Sequence, residues 1–191
     1  MIDLHSHTLF SDGELLPAEL ARRAEAAGYR GLAFTDHVDS SNIEDVLSKL
    51  IKAVRDLAPH FDMKLLAGVE ITHAPIKMIS ELVDLARSRG AGLIIVHGET
   101  LAEPVKPGTN HAAILAGPDI LAHPGLITPD DARLAAERGV CLEISGRAGH
   151  SLSNGHVAAT ARKAAAKLTF GTDTHSPSNI CPRGNAERIA R

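Results

Sequence analysis

A chain of 191 residues is long enough for one sizeable hydrophobic core and short for two full domains. Its hydrophobic share of 44% and charged share of 23% are those of an ordinary globular protein, and a net charge of -3 gives no support to nucleic-acid binding through a general basic field. Cys141 and Cys181 are too few and too far apart for a disulfide framework, and no apolar run approaches the ~20 residues of a membrane span. A soluble, cytoplasmic protein with no membrane partner is expected.

In chain order, β-rich runs alternate with helical patterns. The first strand is predicted at Ile2–His5 and the first helix at Pro17–Ala27, with Pro17 suited to the first helical position and Gly28 to the C-terminal cap. Gly31–Thr35 is the second strand. Behind Ser41 and Asn42, the residues Ile43, Val46, Leu47, Leu50, Ile51, Val54 and Leu57 then repeat at helical spacing. Strand Lys64–Glu70 precedes a helix Ile76–Arg89 that Gly90 stops. Strands Leu93–His97 and Asp119–Ala122 follow, then a helix opened by Thr128-Pro129 and closed by Gly139. Strand Val140–Ser145, an alanine-rich helix from Asn154 to about Lys167, strand Leu168–Thr172 and a last helix Arg183–Arg191 complete the chain.

Seven strands alternating with helices imply a parallel sheet, because parallel neighbours need crossover connections. No linker, charge block or repeat divides the chain, so one domain over 1–191 is expected. An eightfold barrel takes ~250 residues. Seven strands in this length therefore predict a distorted, seven-stranded (β/α)7 TIM-like barrel of the α/β class, with an open doubly wound sheet as the alternative.

Eleven histidines stand out in a chain that is only 3% aromatic. Their positions matter more than their number. His5 and His7 end strand one, Asp36 and His37 close strand two, and Glu70 closes strand three. His97 closes strand four, His123 follows strand five, and Asp173 with His175 follows strand seven. In a parallel barrel these ends share the face where such folds build their sites. Any one of these histidines alone would read as a hydrogen-bonded rim residue. Repetition at the same place changes that, since burying many imidazoles and carboxylates together is costly unless they are paired or bound to metal. Residues i and i+2 of an extended segment point the same way, so His5 with His7, and Asp173 with His175, can each grip one ion. Imidazole with carboxylate suits zinc, manganese or iron, and two or three such divalent ions are expected.

The series His5-Ser6-His7 with Ser11-Asp12-Gly13, Thr35-Asp36-His37, Gly68-Val69-Glu70, His97, Ala122-His123-Pro124 and Gly171-Thr172-Asp173-Thr174-His175 resembles the PHP (polymerase and histidinol phosphatase) superfamily. The resemblance implies a distorted seven-stranded barrel, up to three metals and phosphoesterase activity. It makes His5, His7, Glu70 and Asp173 ligands of a first metal. Glu70 would bridge to a second held by His97 and His123, and Asp12, His37 and His175 would hold a third. Many members carry histidine in the Asp12 role, and others carry aspartate. Asp36 is expected to take part in catalysis by orienting a ligand histidine through its other ring nitrogen.

An anionic substrate calls for cations, and Arg147, Lys106 and Arg183 lie on loops predicted to face the site. His60 is expected on the far face. His73 and His111 are expected outside the motif, as supporting or exposed residues. His150 and His156 are expected in a polar loop, and Glu143 as a paired interior acid. The favoured reading is a phosphomonoesterase acting on a small phosphorylated metabolite, histidinol-phosphatase-like. A phosphodiesterase or exonuclease, an amidohydrolase-type C–N hydrolase and a non-enzymatic structural domain are the competitors. An amidohydrolase would want a metal-bridging lysine where Glu70 stands.

Overall fold

The computed structural model describes residues 1–189, with the side chain of Arg183 outside the description. The strands are β1 (Ile2–Asp3), β2 (Gly31–Phe34), β3 (His37–Val38), β4 (Lys64–Ile71), β5 (Leu93–His97), β6 (Ile120–Ala122), β7 (Cys141–Ser145) and β8 (Leu168–Gly171). All pair in parallel, in the order β1-β2-β4-β5-β6-β7-β8, while β3 continues the line of β2 against β4. The sheet curls until its first and last strands meet. There the Asp173 N–H donates to the His5 carbonyl at 2.9 Å and the His7 N–H to the Thr174 carbonyl at 2.8 Å. The result is the nearly closed, seven-stranded TIM-like barrel that the alternation predicts.

The helices are α1 (Pro17–Ala26), α2 (Ile43–Leu57), α3 (Ile79–Ser88), α4 (Thr109–Ala116), α5 (Pro129–Arg138), α6 (Asn154–Ala164) and α7 (Arg183–Ile189). On α2 the buried positions Ile43, Val46, Leu47 and Leu50 form one stripe against the sheet. The Thr128 hydroxyl caps α5 by accepting the Asp131 N–H, and Gly139 ends it at φ 73°. Most strand ends and the end of α1 shift by one or two residues, and two helix boundaries shift further. Ile76–Met78 is a 3-10 turn rather than the first turn of α3, and the alanine-rich helix stops at Ala164 because Ala165 turns left-handed. The predicted extension of the last helix through Arg191 lies outside the described residues.

β2 and β5 are buried along their whole length, as strands covered on both faces must be. The larger apolar core lies between sheet and helices. A smaller one, Ala33, Leu93, Ile95, Ile120 and Ala122, fills the barrel. Leu93, Ile95 and His97 share one face of β5, so this apolar plug passes directly into ionisable side chains at the strand ends.

Candidate metal centre

His5, His7, Glu70, His97, His123 and Asp173 are all buried at that end of the barrel. The His5 ring is held by Glu143. An ionised carboxylate can only accept, so His5 Nδ1 donates to Glu143 Oε1 at 2.7 Å, and Oε2 of the same carboxylate accepts the His123 N–H at 3.1 Å. With Nδ1 protonated, Nε2 of neutral His5 presents a lone pair to Glu70 Oε2 only 3.3 Å away. His7 Nε2 lies 3.6 Å from the same Glu70 oxygen and 3.2 Å from Asp173 Oδ1, and His123 Nε2 lies 3.4 Å from Glu70 Oε1. The two oxygens of Glu70 thus face different histidines.

Among the described residues, seven buried atoms make no hydrogen bond of good geometry: His5 Nε2, both ring nitrogens of His7, both oxygens of Glu70 (Oε2 with His37 Nδ1 2.8 Å away), His123 Nδ1 and Asp173 Oδ1. Leaving such an atom unpaired costs about 1–3 kcal/mol. Lone pairs facing one another across this short a gap need a cation between them. The groups His5–His7–Glu70, His5–His123–Asp173 and Glu70–His97–His123 each bring one donor atom per residue within 4.8 Å of the others. That spread suits nitrogen and oxygen ligands about 2.0–2.2 Å from a shared ion. The residues fit divalent metal.

The protonation pattern of the bare cluster shows the same demand. Burial opposes a charge on His5, but Glu143, Glu70 and Asp173 outweigh it and raise its pKa well above the usual imidazole range. Burial, reinforced by His37 and His5, drives His7 down to about 3 against the opposing pull of Asp173. For Glu70 and Asp173, burial is outweighed chiefly by His5, and both carboxyls are held well below their ordinary range.

A further group, His7, Asp12, His37 and His175, stands nearer the mouth. Asp12 Oδ1 lies 3.2 Å from His175 Nε2 and 3.5 Å from His37 Nε2. The loop that delivers Asp12 folds back so tightly that a Cβ on Gly13 would sit 2.4 Å from the His7 carbonyl oxygen. Asp36 fastens this loop: its carboxylate accepts the Thr8 N–H at 2.8 Å and the Ser11 hydroxyl at 2.8 Å. This corrects the expected role of Asp36. It orients a loop rather than an imidazole, because its side chain points under residues 8–11. The histidine-orienting partners are Glu143 on His5, Thr72 on His37 at 2.7 Å and the Gly98 carbonyl on His97 at 3.0 Å.

The cavity over these groups measures about 470 Å³. Arg147 is on its wall, with a terminal nitrogen 3.6 Å from Asp173 Oδ1 and against His175 Nδ1. Lys106 is not. Its side chain is exposed and absent from the lining, while its carbonyl accepts the Thr109 hydroxyl at the start of α4, so the loop turns the side chain away from the cavity. The Arg183 side chain lies outside the described residues. His60 is exposed in a turn ahead of β4, His111 pairs with Asp131 on the outside, and His156 binds the Ile127 carbonyl.

Three residues at the cavity were not singled out as ligands from sequence: His73, Glu103 and His150. His150 is only 4% exposed and stacks on His123 with ring centres 4.1 Å apart. His73 alone of the three shares a backbone signal with the core of the site. Among the described residues, the non-glycine residues with positive φ are His73, His123, Asp173 and Ala165. Three of these four lie at this cavity.

A model of the PHP domain matches residues 3–117. The chain belongs to the PHP domain family. An uncharacterized protein of Methanocaldococcus jannaschii is 42% identical over 189 residues, covering 98% of this chain and 87% of that protein. Among solved structures, a Listeria monocytogenes protein to which the name histidinol phosphatase HisK has been given superposes with a TM-score of 0.66, at 13% identity, covering 98% of this chain and 99% of that one. An amidohydrolase superposes with a TM-score of 0.62, at 15% identity, covering 100% of this chain and 68% of that one. At these identities the two structures show the shared barrel. Among the described residues, no helix of this PHP chain is long and apolar enough to cross a membrane.

Proposed function

We propose that this PHP protein is a metal-dependent phosphomonoesterase acting on a small phosphorylated metabolite. Two or three divalent ions of the zinc, manganese or iron kind would be held by His5, His7, Asp12, His37, Glu70, His97, His123, Asp173 and His175. The observation that carries this reading is the set of seven orphaned buried donor atoms converging around Glu70. When bound, such ions supply water of lowered pKa and neutralise phosphoryl oxygens.

The chain's own residues do the rest. Glu70, facing His5 and His7 with one oxygen and His123 with the other, would join two ions. Glu143 keeps the His5 ring turned so that Nε2 points inward. Arg147 is the cavity's arginine, and no lysine lines it among the described residues. Its planar fork suits a phosphate, and its place beside Asp173 and His175 would hold that phosphate against the cluster. A lysine bridge of the amidohydrolase kind has no counterpart here.

The cavity volume suits a small ligand. Among the described residues its lining offers one arginine and no phenylalanine, tyrosine or tryptophan on which bases could stack, which favours a metabolite over an oligonucleotide. The test is a panel of p-nitrophenyl phosphate, bis-p-nitrophenyl phosphate, histidinol phosphate and short single-stranded DNA. Turnover of the monoesters is expected. Turnover of the diester or DNA alone would make the chain a phosphodiesterase, and a metal-loaded protein inert on every phosphoester would overturn the proposal.

A further inference from the structure

Glu103, outside the nine residues named above, faces His97 and two imidazoles not yet assigned, His73 and His150. His97 Nδ1 donates to the Gly98 carbonyl at 3.0 Å, which leaves Nε2 of the neutral ring as a lone pair. That lone pair faces Glu103 Oε2 at 3.1 Å. His73 Nε2 reaches the same oxygen at 3.1 Å, and the three donor atoms lie within 4.8 Å of one another. On the other side, His150 Nε2 lies 3.5 Å from Glu103 Oε1, its ring held by the Thr100 hydroxyl at 2.6 Å from Nδ1.

Two lone pairs cannot face each other at hydrogen-bond distance without a positive centre between them. That centre is either a proton on His97 or a metal ion. The surroundings favour the ion, because one carboxylate is met by a second imidazole and approached by a third. His73 also holds a left-handed φ of 50°, a conformation costing about 1–3 kcal/mol that it shares with His123 and Asp173.

We propose that His73, His97 and Glu103 form an outer divalent-cation site at the cavity mouth. It shares His97 with the inner group Glu70–His97–His123, so the two positions compete for one nitrogen. An ion held outside would move inward by keeping His97 Nε2 while exchanging Glu103 and His73 for Glu70 and His123. The outer site stands on its own geometry. Only the hand-over rests on the inner group also holding metal.

The test soaks crystals of the full chain in Mn2+ and locates the ions by anomalous scattering, in the wild type and in His123→Asn, where the inner competitor is weakened. A peak between His73 and Glu103 in His123→Asn that disappears in His123→Asn/Glu103→Gln is expected. In solution, Co2+ uptake by the chelator-stripped full chain should slow about tenfold in Glu103→Gln and in His73→Gln, while the wild-type number of inner ions is still reached. Inner peaks with no outer peak, and uptake unchanged in both variants, would overturn the site and leave the metal centre standing. An outer peak without inner ones would sustain the site and remove the hand-over. No peak anywhere would overturn both readings.

Discussion

Replacing Glu143 by glutamine probes the support of the centre without touching a proposed ligand. The carboxylate satisfies two donors at once, His5 Nδ1 at 2.7 Å and the His123 N–H at 3.1 Å. A glutamine amide has one accepting oxygen, so in either orientation its NH2 group meets another donor. Losing such support under a ligand histidine typically costs about 10–100-fold in metal affinity, or ~1.4–2.8 kcal/mol at about 1.4 kcal/mol per tenfold. The pH dependence adds a second readout. Glu143 is foremost among the carboxylates that outweigh burial and raise the pKa of His5. Metal needs His5 neutral, so in the wild type proton competition extends above the ordinary imidazole range. The variant is relieved of part of that competition, since Glu70 and Asp173 remain, and its deficit should be full at alkaline pH and shrink toward acid. Chelator competition with Zn2+ between about pH 6 and 9 measures both effects. Affinities within twofold throughout, or a deficit growing toward acid pH, would refute the reasoning.

Glu70→Gln should leave the fold intact and cut p-nitrophenyl phosphate turnover by orders of magnitude, since each Glu70 oxygen faces a different donor group; full activity would remove Glu70 from the site. Gly171→Ala should weaken metal binding in the way Glu143→Gln does, because the added Cβ would lie 2.1 Å from Glu143 Oε1 and 2.7 Å from the His5 Cβ; chelator competition again reads it. Asp3 is buried, and burial raises its pKa from 3.8 to about 6. As pH rises through that window the unfolded chain loses this proton first, so wild-type stability should fall by roughly 3 kcal/mol in all. Asp3→Asn should therefore be the more stable protein at pH 8 by up to that amount and lose the advantage below about pH 4, as followed by urea denaturation of the metal-free forms.

The barrel was legible because its signals are repetitive. Buried runs such as Leu93–His97, the Ile43–Leu50 stripe and the Thr128/Gly139 caps are local features, and each states its element without reference to the rest. Helix α4 escaped notice. Its sequence Thr109–Ala116 buries Thr109, Asn110, Ala113 and Ile114, so no clean apolar stripe announces it, and Gly108 and Gly117 at its ends resemble loop residues. The strand-end residues came from the same positional regularity. Glu143 could be placed inside β7 by alternation, but its partners His5 and His123 could not.

The loop residues were harder, and the reason is physical. His150 reaches the cavity through a bond to Thr100, fifty positions away, after a turn at Gly149 with φ 90°. Lys106 and Glu103 sit in the same loop, yet only Glu103 enters the cavity. Proximity in sequence cannot tell the two apart; the turn into α4 separates them. Asp36 was assigned to an imidazole because it adjoins His37, but successive side chains on an extended segment diverge, and it anchors the Asp12 loop instead.

The central claim is that the buried convergence on Glu70 exists to hold metal. Elemental mass spectrometry of the full chain, exchanged into Mn2+ or Zn2+ and freed of excess ion, tests it most directly. Two or three ions per wild-type chain are expected, falling in Glu70→Gln. Less than one ion per folded chain, or a number unaltered by losing Glu70, would contradict it.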